Sequence, residues 1–292
     1  MRLVFAIAST GRERILADCL AHIALQDRLP DLVILSLGAP EDAPANGYDA
    51  LPFPVREVIG PKGLTRQRNR VLDALEPGDI LLFLDDDFLM APDYLRQTLR
   101  LYEEHPDIVM LTGTVVADGI NGPGFSFEDG LKLLADAARP AGDGLTDTYN
   151  GYGCNMSLRA DPVISLGLRF DERLPFYGWL EDVDFGRLLA RHGRIVRAEA
   201  LVGVHLGTKT GRGTGLLLGY SQIANPLYLI GKGTMRRDRA LRMMRRNVTA
   251  NLAKALWPEP WVDRVGRLRG NLLALGDLVR GRIAPERVLD LR

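Results

Sequence analysis

The segment Ile80-Leu81-Leu82-Phe83-Leu84 runs directly into Asp85-Asp86-Asp87. Five large apolar residues behind Pro77-Gly78-Asp79 read as a buried strand. Three carboxylates at the end of such a strand lie close enough that mutual repulsion opposes their full ionisation. A divalent cation relieves that repulsion, and hard oxygen ligands suit Mg²⁺ or Mn²⁺. In open α/β sheets, ligands bind beyond the carboxyl ends of the strands, where this triplet falls. Asp is also common in turns and at helix starts, so the triplet alone leaves those readings open.

The surrounding pattern supports an α/β sheet. Strands are expected at Leu3–Ala8, Leu32–Leu37, Val55–Ile59, Ile80–Leu84 and Ile108–Thr114, and helices at Glu13–Leu25, Gly63–Leu75 and Pro92–Glu104. Strands separated by helical stretches of this length argue for right-handed βαβ units and a mostly parallel sheet. Residues 118–147 are rich in Gly, Asp and Pro around one amphipathic piece, Phe127–Ala137, and mark the crossing to a second half. That half is expected to hold a strand at Tyr149–Leu158, a helix at Glu181–His192 and strand structure over Arg194–Val204. After Gly207 an apolar stretch, Gly215–Gly231, is broken by Ser221, Gln222, Asn225 and Pro226. Arg-rich helices are expected near Met235–Leu256 and Val262–Arg280.

With 46% hydrophobic and 25% charged residues among 292, the composition is that of an ordinary globular enzyme. No run of 18 clean apolar residues indicates a spanning helix. The start, Met1-Arg2 followed by a strand, leaves no room for a secretory leader, and the two cysteines, Cys19 and Cys154, fit a reduced, cytoplasmic setting. The zero net charge conceals an asymmetry. Residues 231–292 carry 15 Lys+Arg against 6 Asp+Glu, a net of +9, leaving 22 basic and 31 acidic residues, a net of −9, in the remainder. A basic tail suits an anionic membrane surface, an acidic acceptor or a nucleic acid. Apart from Trp257 and Trp261 the tail has almost no aromatics for base stacking, which argues against nucleic acid.

Four further features accompany the triplet. Ser9-Thr10-Gly11-Arg12 joins the first strand to the first helix, where hydroxyls, Gly and Arg suit a phosphate or nucleotide, although ordinary capping would use the same residues. Gln67-Arg68-Asn69-Arg70 sits early in the helix before the acidic strand and offers a cationic fork. Phe176-Tyr177-Gly178-Trp179-Leu180-Glu181-Asp182 sets aromatics, which stack on sugar rings, before a carboxylate pair at a helix start. His205 closes the strand-like Leu201–Val204, where it is either a third ligand for the aspartates or a hydrogen-bonded core residue.

In this order and spacing, residues 1–210 resemble a family 2 glycosyltransferase of the GT-A fold. The resemblance implies a metal-assisted, inverting transfer of a sugar from a nucleoside diphosphate sugar. It implies that Asp85 touches the ribose, that Asp87 and His205 ligate Mn²⁺ or Mg²⁺, and that Asp86 assists either. It implies donor contacts from Ser9, Thr10, Arg12 and Arg68, acceptor contacts from Trp179 and Glu181, and Asp182 as general base. One departure concerns the base-reading acid common after the second strand: here the chain reads Leu35-Ser36-Leu37-Gly38-Ala39-Pro40, with acids only at Glu41 and Asp42. The Gln-x-x-Arg-Trp signature of processive members is missing, which implies a single addition per encounter.

The expected architecture is a Rossmann-like, mostly parallel sheet flanked by helices over residues 1–213, with a donor half to 117 and an acceptor half from 118. A basic helical extension follows over 214–292. The expected function is transfer of one sugar to a lipid-linked oligosaccharide or polysaccharide precursor at the inner face of the plasma membrane. The alternatives are a sugar-1-phosphate nucleotidyltransferase, whose Gly-rich phosphate loop is missing, and a non-catalytic carbohydrate- or nucleotide-binding module.

Overall fold

The computed structural model describes residues 1–140, 142–209 and 213–291. The apolar run at the N-terminus forms β1 (Leu3–Ser9), and α1 (Glu13–Ile23) follows with Leu16, Cys19, Leu20 and Ile23 on its buried face. Next come β2 (Leu32–Leu37), β3 (Val55–Ile59), α2 (Leu64–Leu72), β4 (Ile80–Leu84), β5 (Phe88–Met90), α3 (Tyr94–Glu104) and β6 (Ile108–Asp118). The second half contributes α4 (Phe127–Asp136), β7 (Thr146–Asp147), β8 (Asn155–Arg159), α5 (Ala160–Ser165), α6 (Glu181–Leu189) and β9 (Arg194–His205).

These strands make one nine-stranded sheet in the order β3-β2-β1-β4-β8-β6-β9-β5, with β7 also on β9. From the ladder directions, β2, β3, β4, β6 and β9 run with β1, while β5, β7 and β8 oppose them. Alternate residues of β4 feed opposite faces. Ile80, Leu82 and Leu84 pack towards α1 and α3, and Leu81 and Phe83 towards α2 and α6. A strand buried on both faces must read as a continuous apolar run, which is the pattern seen. The sheet is continuous through residues 117 and 118, the point at which the sequence suggested a division.

Two strand expectations need correction. Residues 149–154 are not extended: Asn155 N–H donates to the Tyr152 carbonyl at 2.8 Å across a turn that holds Gly151 and Gly153, and β8 begins only at Asn155. Conversely, β5 has no counterpart in the sequence pattern. Its three residues are too few to show a period, and it exists because the chain after Asp87 reaches β9, pairing Phe88 with His205 and Met90 with Gly203.

The extension forms three helices, α7 (Gly215–Lys232), α8 (Arg237–Lys254) and α9 (Arg264–Val279). Gly219 and Gly270 let α7 and α9 touch backbone to backbone, since a Cβ on either would strike the other helix. Buried Gln222, Asn251 and Asn271 hydrogen-bond one another between the helices. Leu229, Met235 and Ala240 then pack with Leu174, Leu180 and Val183 of the sheet domain. Lys232 reaches Asp171 at 2.6 Å and fully buried Asp184 at 2.7 Å. The extension is therefore seated on α6. Among the described residues no helix is long and apolar enough to cross a membrane.

Candidate active site

The turn Asp85–Asp87 lies between β4 in mid-sheet and β5 at its edge, and its three carboxylates point to different partners. Asp86 is buried and turns back towards β1, accepting from the Ser9 hydroxyl at 2.6 Å and from the Arg12 guanidinium at 2.8 Å. Asp87 faces His205 across the β5–β9 ladder, with Oδ1 3.5 Å from Nε2, while its Oδ2 accepts from Thr208 N–H at 2.7 Å. Asp85 stays about one-third exposed, its side chain at 34%. One ligand atom from each of Asp85, Asp87 and His205 falls within 4.8 Å of the others.

The electrostatics separate the two ligand carboxylates. Burial and neighbouring Asp87 push Asp85 up, to about 6, against the pull of Arg68. Burial opposes ionisation of Asp87 too, but the hydrogen bond and charge of His205 hold it down, at about 2. Burial also disfavours the imidazolium of His205, and its hydrogen bonds to Asp118 and Asp87 prevail, raising it to about 10. A clustered pair of acids with one imidazole is a fitting donor set for a hard divalent cation, which Asp85, Asp87 and His205 would hold.

Asp118 is the residue that the sequence reading missed. It pairs with His205 in the β6–β9 register, and its Oδ1 lies 2.8 Å from His205 Nδ1. Its other oxygen accepts from Tyr152 Oη at 2.9 Å. This contact directs Nε2 towards Asp87, the usual arrangement behind a metal-ligating histidine. The sequence treats Asp118 only as a boundary, because its pairing with a residue 87 positions away follows from strand register.

Arg68 connects the metal-facing acids to the second acidic pair. It is 2% exposed, lies over the rings of Phe83 and Phe170, and reaches Glu181 at 2.5 Å and Asp85 at 3.8 Å. The Nη2 that faces Asp85 donates to the Gly153 carbonyl at 2.7 Å. Glu181 is itself buried, and burial drives its carboxyl upward, to about 8, against the pull of Arg68. Glu181, expected to contact the acceptor, is 5% exposed and turns its Oε1 to Arg68.

Asp182, one residue further on, is half-buried at the first turn of α6. Its Oδ2 accepts from Gly153 N–H at 3.2 Å and from Asn150 at 3.4 Å, and its Oδ1 from Val183 N–H at 2.8 Å. Burial raises its carboxyl above the ordinary Asp range, although these N–H groups and Arg68 hold it back. The approach to this helix is strained. Phe176 and Leu180 are the two non-glycine residues with positive φ among those described, at 57° and 74°. Such conformations persist only where the surroundings enforce them, and they gather at functional sites. Trp179 is half-buried among Leu174, Leu180, Val183 and α7, so the open rings of this segment are Phe176 and Tyr177, at 42% and 59% exposure.

At the other end of the cleft, Thr10 is half-buried and donates to the Ser9 carbonyl. Gln67 braces the same loop, bonding the carbonyls of Ser9 at 3.0 Å and Ser36 at 2.7 Å. Asp42 is buried and accepts from Gly11 N–H at 2.7 Å and Gly38 N–H at 3.1 Å, which ties the ends of β1 and β2 together. A short 3-10 turn, Pro40–Asp42, carries this acid back to the strand ends that lack one of their own.

The profile of the family described as Glycosyl transferase family 2 matches residues 5–150, half of the chain. A curated relative, glucosyl-dolichyl phosphate glucuronosyltransferase of Haloferax volcanii, is 31% identical over 107 residues, covering 36% of this chain and 34% of that protein. The chain thus spans about a third of the length of the curated relative it matches. Among solved structures, residues 1–349 of S. aureus TarS in complex with UDP-GlcNAc superpose with a TM-score of 0.55 at 16% identity, over 99% of this chain and 83% of that one. The mannosyltransferase PcManGT from Pyrobaculum calidifontis, in complex with GDP-Man and Mn²⁺, gives 0.54 at 16%, over 99% and 84%. At these identities the structural likeness establishes the fold, a GT-A type α/β sheet, and the profile establishes the lineage. The chain belongs to glycosyl transferase family 2.

Proposed function

We propose that this protein is an inverting glycosyltransferase that moves one sugar from a nucleoside diphosphate sugar to a lipid-linked oligosaccharide or polysaccharide precursor. The observation that carries the reading is the juxtaposition of two acidic sets across buried Arg68: Asp85, Asp87 and His205 on one side, Asp182 on the other. Transfer with inversion needs negative charge to be stabilised on the leaving group and a base on the opposite face of the sugar. The two sets supply these functions separately. That a mannosyltransferase of the same fold was solved with GDP-Man and Mn²⁺ agrees with a nucleotide-sugar donor and a divalent cation.

In this reading Asp182 takes the proton of the acceptor hydroxyl as that oxygen bonds to the anomeric carbon. The bond from that carbon to the phosphate oxygen breaks, and its electron pair leaves with the nucleoside diphosphate. A Mn²⁺ or Mg²⁺ ion held by Asp85, Asp87 and His205 would offset the charge on that leaving group. Asp118 fixes the His205 imidazole. Thr10 and the open edge of Asp85 face the donor, and Ser9, Arg12 and Asp86 hold the loop that carries them. Arg68 keeps the Asp85 and Glu181 carboxylates in register, and the exposed Phe176 and Tyr177 rings, beside Trp179, offer stacking surfaces to the acceptor sugar. The enzyme acts at the cytoplasmic face of the membrane as a peripheral protein.

The test is release of nucleoside diphosphate from a panel of UDP-, GDP-, TDP- and CDP-sugars with Mn²⁺, with and without EDTA. Turnover of one donor that EDTA abolishes and Mn²⁺ restores is the expected result. Absence of release from every donor, with nucleotides still bound, would favour a binding module.

A further inference from the structure

The turn between α8 and α9 exposes a cluster of apolar side chains that the sheet domain does not use. Leu252, Leu256, Trp257, Trp261 and Val265 are 61%, 76%, 81%, 39% and 40% exposed. They lie within fourteen consecutive positions of the sequence. The turn has a defined shape. Glu259 bridges Lys254 and Arg264, Arg264 also reaches Asn251 at 3.1 Å, and Asp263 caps α9 through Gly266 N–H. The apolar surface continues along the outer face of α9 through Leu272, Leu275 and Val279.

The same two helices also carry exposed arginines. Arg245, Arg246 and Arg269 are exposed, and among the described residues no carboxylate pairs with them. From residue 239 to 280 the acids are Glu259, Asp263 and Asp277. The first is taken by two salt bridges, the second by a helix cap, and the third is buried beside Arg282 and Arg287. Exposed tryptophan and leucine at the turn, on two helices that carry arginines with no carboxylate partner among the described residues, match the interface of an anionic bilayer, where indoles sit at the headgroups and guanidiniums meet phosphates. A second copy of the chain fits this face less well, because a two-fold contact would set its unpaired arginines against one another.

We propose that the α8–α9 turn is a membrane-docking tip, inserting Leu256 and Trp257 at the headgroup level of an anionic bilayer while Arg245, Arg246 and Arg269 engage lipid phosphates. It assigns a specific surface to the peripheral attachment in the functional reading above and rests on that reading for its purpose alone. The binding itself needs neither donor nor acceptor, so the two ideas fail separately: tip variants that lose vesicles yet retain donor hydrolysis would leave the transferase reading intact.

The experiment floats the full chain, without nucleotide, on vesicles of phosphatidylcholine and of phosphatidylcholine mixed with phosphatidylglycerol, at low and high salt. Wild type is expected to float only with the anionic vesicles, less so as salt rises, with its tryptophan emission shifted to the blue. Reversing two arginines, Arg245→Glu with Arg246→Glu, should lower the partition coefficient at least about 30-fold, at roughly a tenfold loss for each 1.4 kcal/mol and about 1 kcal/mol for each cation removed. Leu256→Ser with Trp257→Ser should lower it about tenfold or more and abolish the blue shift, with an unchanged melting temperature because neither side chain is buried. Indifference to lipid charge, flotation of both double variants like wild type, or a dimer in light scattering that Leu256→Ser with Trp257→Ser dissociates would each overturn the assignment, the last in favour of a second copy.

Discussion

The acids that end β4 and the acids that begin α6 are both clusters at element boundaries, and they are held in opposite ways. Asp87 is placed by a sheet: the β5–β9 ladder sets it beside His205, the β6–β9 register sets Asp118 behind His205, and a backbone N–H fixes its second oxygen. Asp182 is placed by strain and side-chain packing. Two left-handed residues lead the chain into its helix, a buried arginine holds the adjoining Glu181, and the C-terminal helices press on the helix's outer side. The sheet-built cluster is fixed by strand register and a backbone hydrogen bond. The helix-built one keeps a carboxylate half-buried and its affinity for protons raised, which suits a base. Arg68 couples the two, so each can be perturbed while the other is watched.

The largest expected effect is at the sheet-built cluster. Asp87→Ala removes the one acid that His205 and Thr208 both hold, and should eliminate Mn²⁺-dependent nucleoside diphosphate binding in calorimetry together with transfer. Binding like that of wild type would break the comparison at its first term. On the helix side, Asp182→Asn keeps shape and removes the proposed proton acceptor. It should reduce kcat by roughly 10²–10⁴ while donor affinity stays within a few-fold. The same residue sets a pH dependence. A base works in its ionised form and this carboxyl has a raised pKa, so the proposed role predicts that kcat/KM falls on acidification at a pH above the usual Asp range, and that the limb vanishes in Asp182→Asn. A limb that survives the substitution would assign the base elsewhere.

Arg68 tests the coupling. Removing one partner of a buried pair leaves the other charge unsatisfied, so Arg68→Met should destabilise the fold by about 3–5 kcal/mol in denaturant unfolding. Adding Glu181→Gln should return much of that loss. If the double variant is no more stable than the single, Arg68 works mainly through Gly153 and the aromatic rings. The smallest effect concerns orientation. Asp118→Asn should weaken Mn²⁺ binding about 10–100-fold, measured directly by calorimetry, and leave metal-free stability less affected than Arg68→Met does. An unchanged Mn²⁺ affinity would make the Asp118–His205 contact purely structural.

Much of the sheet was legible because its physics is local. The strands Leu32–Leu37, Val55–Ile59 and Ile80–Leu84 fall where apolar runs end at turn residues, and α1 and α3 follow their 3.6-residue period. The acidic junction was legible for the same reason: a buried strand cannot carry three aspartates except where it ends. His205 was recognisable as a residue closing a strand, and Asp182 as one opening a helix. β5 was not, since three residues carry no periodicity and its existence depends on an edge that β9 offers. Asp118 was not, because an acid at a strand end is ordinary until the register reveals what lies beside it. Glu181 and Trp179 looked available because residue type and position say nothing of what packs against them; Arg68 and α7 take them inward. The sequence by itself determined the strand–helix alternation, the acidic loop and the basic, helical character of the C-terminal part. Only the tertiary structure decided which aspartate faces which partner, since ladder register and helix packing join residues that are a hundred positions apart and no local pattern encodes the distance between them.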